Sequence, residues 1–444
     1  MSGHGELKRF LKPIHLWAIA VGLVISGDYF GWNYGLREGG PVGMMIATLV
    51  VTVMYICFIF SYTELSTAIP QSGGPFAYAK RALGPLGGYI AGFATVIEFV
   101  FAPPAIARAI GSYVHFRVPS LPVNGIAISA FVIFGLINIL GVGIAATFEL
   151  IVTAAAAFEL FLFFFLTGPH VETARIFAEP MLPHGWGGVF AALPFGIWFY
   201  LAIEGVAMSA EEVVNPKRDI PRGYIAGIST LVCLALGTLI CTTGVLPTAE
   251  LIKDDSPLPN VLRHVLSENH PMTHLMVYLG LFGLVASFHG IMMGYSRQVY
   301  ALARAGFLPR FMSELHSKLR TPVWAIVVPG IVGALAVLSE RTDELITLAG
   351  MGAVLLYVMS MISLFVLRKK EPEMERPFRA PLYPVFPAVA LGLALVFFAA
   401  FAASSWAVSG IFVGLLALGL LHFHFVVRPG LKEEPAREPL PAVE

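Results

Sequence analysis

VISGDYFGWNYG, residues 24–35, lies inside the first long apolar run of this chain and places an acid, Asp28, among Gly27, Gly31 and Gly35. A charged side chain at the centre of a bilayer costs about 2.5–3.5 kcal/mol on insertion scales, so such residues mark functional or paired positions. The glycines weaken the helix at the same place. The stretch therefore reads as a membrane-spanning helix built to break around a carboxylate.

The rest of the chain supports the membrane setting. Of its 444 residues 57% are hydrophobic and 13% charged, against about 25% charged in soluble domains. A hydrocarbon core of about 30 Å needs roughly 20 apolar residues per helix. Twelve runs meet that need: 14–36, 41–67, 86–114, 122–142, 148–168, 188–212, 222–246, 272–300, 322–339, 343–367, 385–403 and 406–427. They are called segments 1 to 12 here. Segment 1 is too long for the apolar part of a signal peptide and lacks a small-residue cleavage site, so it is expected to stay as the first helix. Cys57, Cys233 and Cys241 fall inside apolar runs and read as packing thiols.

Twelve spans place both termini on one side. Twenty Lys and Arg then share the side of the termini, and six (Arg37, Arg117, Arg175, Lys253, Arg263, Arg341) fall on the other. Basic residues concentrate on the cytoplasmic side, so both termini are expected to be cytoplasmic. The chain is one membrane domain between a short tail at 1–13 and a Pro- and Glu-rich tail at 428–444, expected to be disordered.

Segment 6, LPFGIWFYLAIEGVAMSAEEV, repeats the theme of segment 1, with Pro194, Gly196 and Gly205 around Glu204. Interrupted helices at corresponding places in two halves point to a transporter with inverted repeats and a midplane site. Irregular backbone in a bilayer is tolerated where it lines a cavity or packs on protein. Glycines that only allow close helix packing are the bland alternative.

No Gly-x-x-x-x-Gly-Lys-Ser/Thr loop, nucleophile elbow or cluster with metal-ligand spacing occurs in the sequence. An ATP-driven pump and an intramembrane enzyme are therefore not expected, and neither is a cofactor or a metal. No basic, aromatic-interleaved patch suggests nucleic acid. A channel is the competing non-enzyme class, though it would favour a continuous pore over two broken helices.

Three motifs carry a resemblance. PQSGGPFAYAKRALGPLGGY (70–89), EEVVNPKRDIPRG (211–223) and YSRQVYALARAGFLP (295–309) resemble, in that order, signatures at the junction of segments 2 and 3 and at the cytoplasmic ends of segments 6 and 8 of the amino acid–polyamine–organocation superfamily. The resemblance covers segments 1 to 10. It implies an all-α, leucine-transporter-like fold: inverted repeats over 14–168 and 188–367, broken helices 1 and 6, and two further helices over 385–427. Members usually carry a small polar triplet at the first break, where this chain reads Ser26-Gly27-Asp28. They carry Gly-Phe-Glu or Gly-Leu-Glu at the second, where it reads Ala202-Ile203-Glu204. SGDYFGWNYGL with WFYLAIEG is most similar to bacterial ethanolamine permeases, which implies import of a small amine across the bacterial inner membrane by alternating access. An amino acid or polyamine transporter of the same fold is the alternative.

In that family, donors at the start of the second half of helix 1 bind the substrate carboxylate. Ethanolamine has none. Asp28 is expected to fill that anion niche, capping the half-helix and presenting a fixed charge to an ammonium group. A structural cap, or a salt bridge to Arg108, is the alternative. The substrate shell is expected to comprise Ser26, Gly27, Asp28, Tyr29, Trp198, Leu201, Ala202 and Glu204. Trp198, Phe199 and Tyr200 are expected to gate it, with cation–π attraction from the aromatics including Phe30. For coupling to H+ or Na+ the candidates are Asp28, Glu159, Glu204 and His289, with Glu98 weaker. Some proton-coupled relatives place a lysine in segment 5, and the nearest residue here is expected to be Glu159. Glu211, Glu212, Lys217, Arg218, Asp219 and Arg222 form either a salt-bridged inner gate or a solvated turn.

Overall fold

The structure is a computed structural model that describes residues 9–140, 142–178, 181–253, 255–267 and 270–433. Among these the regular structure is helical apart from one short backbone bridge. Nine helices are long and apolar enough to cross a membrane, and three shorter apolar helices accompany them at Pro13–Tyr29, Gly185–Ile197 and Val323–Val337. Two of the three shorter ones are the segments expected to break.

The chain opens with α1 (Pro13–Val24), continued through Ile25 into α2 (Ser26–Tyr29). Helical backbone ends at Phe30, which is extended (φ −162°), followed by Gly31 at φ 93°. It resumes in α3 (Tyr34–Ala68), which kinks at Gly40 (φ 67°) before Pro41. The second half of segment 1 is thus a short piece ending at that kink. Next come α4 (Pro75–Arg117), bent at Gly84, then α5 (Val123–Leu140) and α6 (Val142–Thr167).

Between α6 and segment 6 lies the small helix α7 (Thr173–Ala178). Segment 6 begins as α8 (Gly185–Ile197), loses regular winding over residues 198–202 and continues as a tight 3-10 stretch, Ile203–Glu212. Ala202 sits in the left-handed region at φ 77°. Then follow α9 (Pro216–Thr243), the short α10 (Thr248–Leu251) and α11 (Pro257–Leu266), and the long α12 (Pro271–Arg304). The remainder is α13 (Val323–Val337), α14 (Thr342–Lys370), α15 (Val385–Ser404), α16 (Trp406–His422) and α17 (Arg428–Glu433). Winding from Arg428 to Glu433 corrects the expectation of a structureless tail from 428. Residues 434–444 lie outside the described part, as do 1–8.

Packing follows the apolar faces. The two broken segments sit in the middle, with α1 against α6, α9 and α12, and α14 running along α4. Exposed Leu, Ile, Val and Phe line the outer faces of α5, α6, α13 and α16, the pattern of helices whose surroundings are lipid rather than water. The interior also holds Asp28, Glu98, Glu149, Glu159, Glu204 and His289, none more than 2% exposed.

Candidate functional site

The two interruptions lie against each other. A Cβ added at Gly27 would collide with the carbonyl of Trp198, and one at Gly31 with the Trp198 indole. Only glycine permits this approach, and Gly31 also needs its positive φ. The Phe30 ring meets Trp198 edge to face at 5.6 Å, and Trp32 stacks on Phe199 at 6.0 Å. Trp198 therefore packs over the first break. Its indole N–H is buried without an acceptor.

Asp28 is fully buried, and neither carboxylate oxygen receives a hydrogen bond. It lies in α2, at the C-terminal end of the first half-helix, where the helix dipole disfavours a carboxylate. This corrects the expectation that Asp28 caps the second half. Asn33 ties the interruption itself and makes no side-chain cap bond to α3. Its Oδ1 accepts the Gly31 N–H at 2.9 Å, and its Nδ2 donates to the Leu251 carbonyl at 2.9 Å. Arg108 does not reach Asp28 either. It donates to Thr342 Oγ1 at 3.0 Å and to Asn124 Oδ1 at 2.7 Å.

Below the break, packed aromatic rings and hydroxyls lead toward Glu204. Tyr200 and Thr52 share a hydrogen bond of 2.6 Å, and the Tyr200 ring lies 5.0 Å from Tyr55. The Tyr55 hydroxyl meets that of Tyr357 at 2.8 Å, and Tyr357 donates to Glu204 Oε2 at 3.2 Å. Glu98 of α4 is likewise fully buried, and neither of its carboxyl oxygens receives a hydrogen bond.

The other expected residues divide. Ser26 is tied into the break: its N–H donates to Ser287 Oγ at 2.9 Å, and that hydroxyl donates to the Gly22 carbonyl at 2.6 Å. Ser287 thus bridges one helical turn of α1 in place of a backbone bond. Leu201 and Ala202 are buried beside the second break. Tyr29 turns away from Trp198 and lies on Gly280 and Gly283 of α12. Its hydroxyl donates to Glu159 Oε2 at 2.6 Å. Glu159 therefore anchors α2 to α6, and the acid of α6 that meets both α1 and α12 is Glu149, a correction to the expected register. Glu149 lies against Gly22 and Gly290, with His289 Nδ1 3.5 Å from its Oε2.

At the end expected to be cytoplasmic, the proposed cluster does not close on itself. Glu212 pairs with Arg297 of α12 at 2.7 Å, and Arg297 also donates to Ser209 Oγ at 2.7 Å. Glu211 accepts the Ser72 N–H at 2.9 Å, and Lys217 pairs with Glu375 at 2.7 Å. A strap from the N-terminus adds to the closure: the N–H groups of Phe10 and Leu11 donate to the Glu212 carbonyl. Arg297 lies within segment 8, so this pair joins segments 6 and 8. The opposite end is tied by Tyr34 and Thr342, which both donate to Asp255.

A bundle of apolar helices, two of them broken face to face around buried acids, defines a membrane permease. Residues 11–418 match the family described as amino acid permease, and the chain belongs to it. Similar chains include an uncharacterized transporter of Rhizobium meliloti, 30% identical over 87% of this chain and 85% of that one. The branched-chain amino acid permease BcaP of Bacillus subtilis is 27% identical over 89% and 88%. The methylthioribose transporter of the same organism is 25% identical over 95% and 94%.

Proposed function

We propose that this permease carries a small protonated amine of the ethanolamine class, bound between the two breaks by Asp28. The observation that carries the reading is the state of that carboxylate: fully buried, with neither oxygen receiving a hydrogen bond. A buried carboxyl of this kind either holds a proton or meets a cation, and a substrate ammonium would supply the cation. The other half of the argument is Asn33. A substrate carboxylate would seek free N–H groups at the first break, and the Gly31 N–H there is already held by the Asn33 side chain. A zwitterion would also bring its negative charge toward Asp28. Trp198 and Phe30 meet beside the first break, and ring faces attract an ammonium group.

In this reading substrate enters from one side of a bacterial inner membrane, with both termini in the cytoplasm. The breaks reorganise around it, and the Arg297–Glu212 closure releases to let it out. Loss of inward basic charge would argue against the orientation.

A second reading, an amino acid substrate, is favoured by the similarity to the branched-chain permease. Calorimetric titration of purified protein with ethanolamine, alanine, leucine, choline and putrescine separates the two. Ethanolamine binding with weak alanine and leucine binding supports the amine. Leucine or alanine binding more tightly than ethanolamine supports the amino acid.

A further inference from the structure

Residues 371–380, EPEMERPFRA, leave the end of α14 and run across the ends of α3, α4 and α9 before α15 begins. So polar a stretch could have been a solvated turn. Instead it is held at several points, and the points differ in kind.

The first point is Glu64 of α3, a carboxylate only 1% exposed. Its two oxygens accept Nε and Nη2 of Arg368, each at 2.7 Å, and the Ala380 N–H at 2.8 Å. Arg376 Nε lies 3.2 Å from the same carboxylate. One acid serves two guanidinium groups because Arg376 has a second partner. Its Nη groups donate to the carbonyls of Leu367, Glu371, Pro372 and Met374, at the C-terminal end of α14, where the helix dipole favours a cation. Arg368 also lies 4.2 Å over the Tyr383 ring. Removing one partner from such a buried set would leave a charge uncompensated, so this end of the segment stays attached to α3.

The remaining points are exposed. Glu371 accepts Arg81 Nε of α4 at 3.0 Å, and Glu375 accepts Lys217 Nζ of α9 at 2.7 Å. The four side chains are between 34% and 72% exposed. Pairs of this kind are weak and are screened by salt. Lys217 is the second residue of α9 and stands five positions after Glu212, which closes segment 6 on Arg297. A movement of the inner end of segment 6 therefore carries Lys217 with it, away from Glu375.

We propose that residues 371–380 form a strap, anchored at Glu64 and braced by Arg81, that latches the inner end of segment 6 through the Lys217–Glu375 pair. The anchor keeps Glu375 in place, and the exposed pair gives way each time that end opens. The latch adds to the Arg297–Glu212 closure and biases the carrier toward the inward-closed state. It is a bias rather than a lock, because an exposed pair gives way far more readily than the buried set at Glu64.

The inference rests on the chain being a carrier, not on which substrate it carries, so its test needs no substrate. In full-length protein without the native cysteines, a cysteine is placed at Ala207 of the 3-10 stretch, which is buried in the closed structure. K217E should speed its maleimide labelling by about twofold or more, and the swap K217E/E375K should return the rate to that of the parent. Labelling unchanged by K217E overturns the proposal, and so does an acceleration that the swap leaves in place. The anchor is tested separately by trypsin at the Arg379–Ala380 bond, whose N–H Glu64 holds. Cleavage in E64Q should be at least tenfold faster than in the wild type, and equal rates would contradict an anchor at Glu64. Should E64Q fail to fold, the charge swap at residues 217 and 375 still decides.

Discussion

Asp28 and Asn33 divide between them a task that the sequence assigned to one residue. Asn33 saturates a backbone donor of the first break, and Asp28 offers a carboxyl group that no hydrogen bond in the protein satisfies. The sequence shows both polar side chains but not which of them turns back onto Gly31, because that depends on the positive φ of the glycine itself. Ala202 offers a sharper test of the second break. An L-residue in the left-handed region pays about 1–2 kcal/mol, so Ala202→Gly is expected to raise the stability of the closed form by about 1 kcal/mol. Thermal unfolding in detergent checks this, and a fall in midpoint would show that the alanine methyl packs more favourably than its backbone is strained. Gly27 behaves oppositely. Gly27→Val would drive a side chain into the Trp198 carbonyl, and at least a tenfold loss of substrate affinity is expected by titration. An unchanged affinity would mean that the two breaks need not touch.

Among the elements, segments 1 and 6 were legible as broken because glycine, proline and acids crowd into apolar runs. Where each winding stops was less so. The first break falls at Phe30–Gly31, two residues beyond Asp28, and the second at 198–202, before Glu204. Those two residues reverse the electrostatics, since they put Asp28 at a helix C-terminus. The register of α6 shows a similar limit. Glu149 and Glu159 are ten residues apart, about 2.8 turns, so they point about 80° apart and differ in depth by about 15 Å. Composition cannot tell which one meets α12. Arg297 was missed because its partner, Glu212, is 85 residues away in sequence. Breaking this partly buried pair should favour an opening at that end. In a background without the native cysteines, Arg297→Ala is expected to speed maleimide labelling of a cysteine placed at Ala207 by at least tenfold. Equal labelling rates would place the closure elsewhere.

For the whole molecule, class and family were readable from hydropathy and three short motifs, since a bilayer dictates both helix length and internal hydrogen bonding. The choice of substrate was not, because it turns on a few side chains whose directions follow from packing between distant segments. A permease of this family that meets its substrate with a bare carboxylate has little use for a zwitterion. The account therefore turns on Asp28, and the most direct measurement is calorimetric binding of ethanolamine and alanine to the wild type and to Asp28→Asn. Hydrogen bonds to charged groups contribute about 1.5–3 kcal/mol. Ethanolamine affinity should accordingly fall by about 10- to 150-fold in the variant, while alanine binding stays level or improves. Ethanolamine binding that is equal in the two proteins would contradict the account.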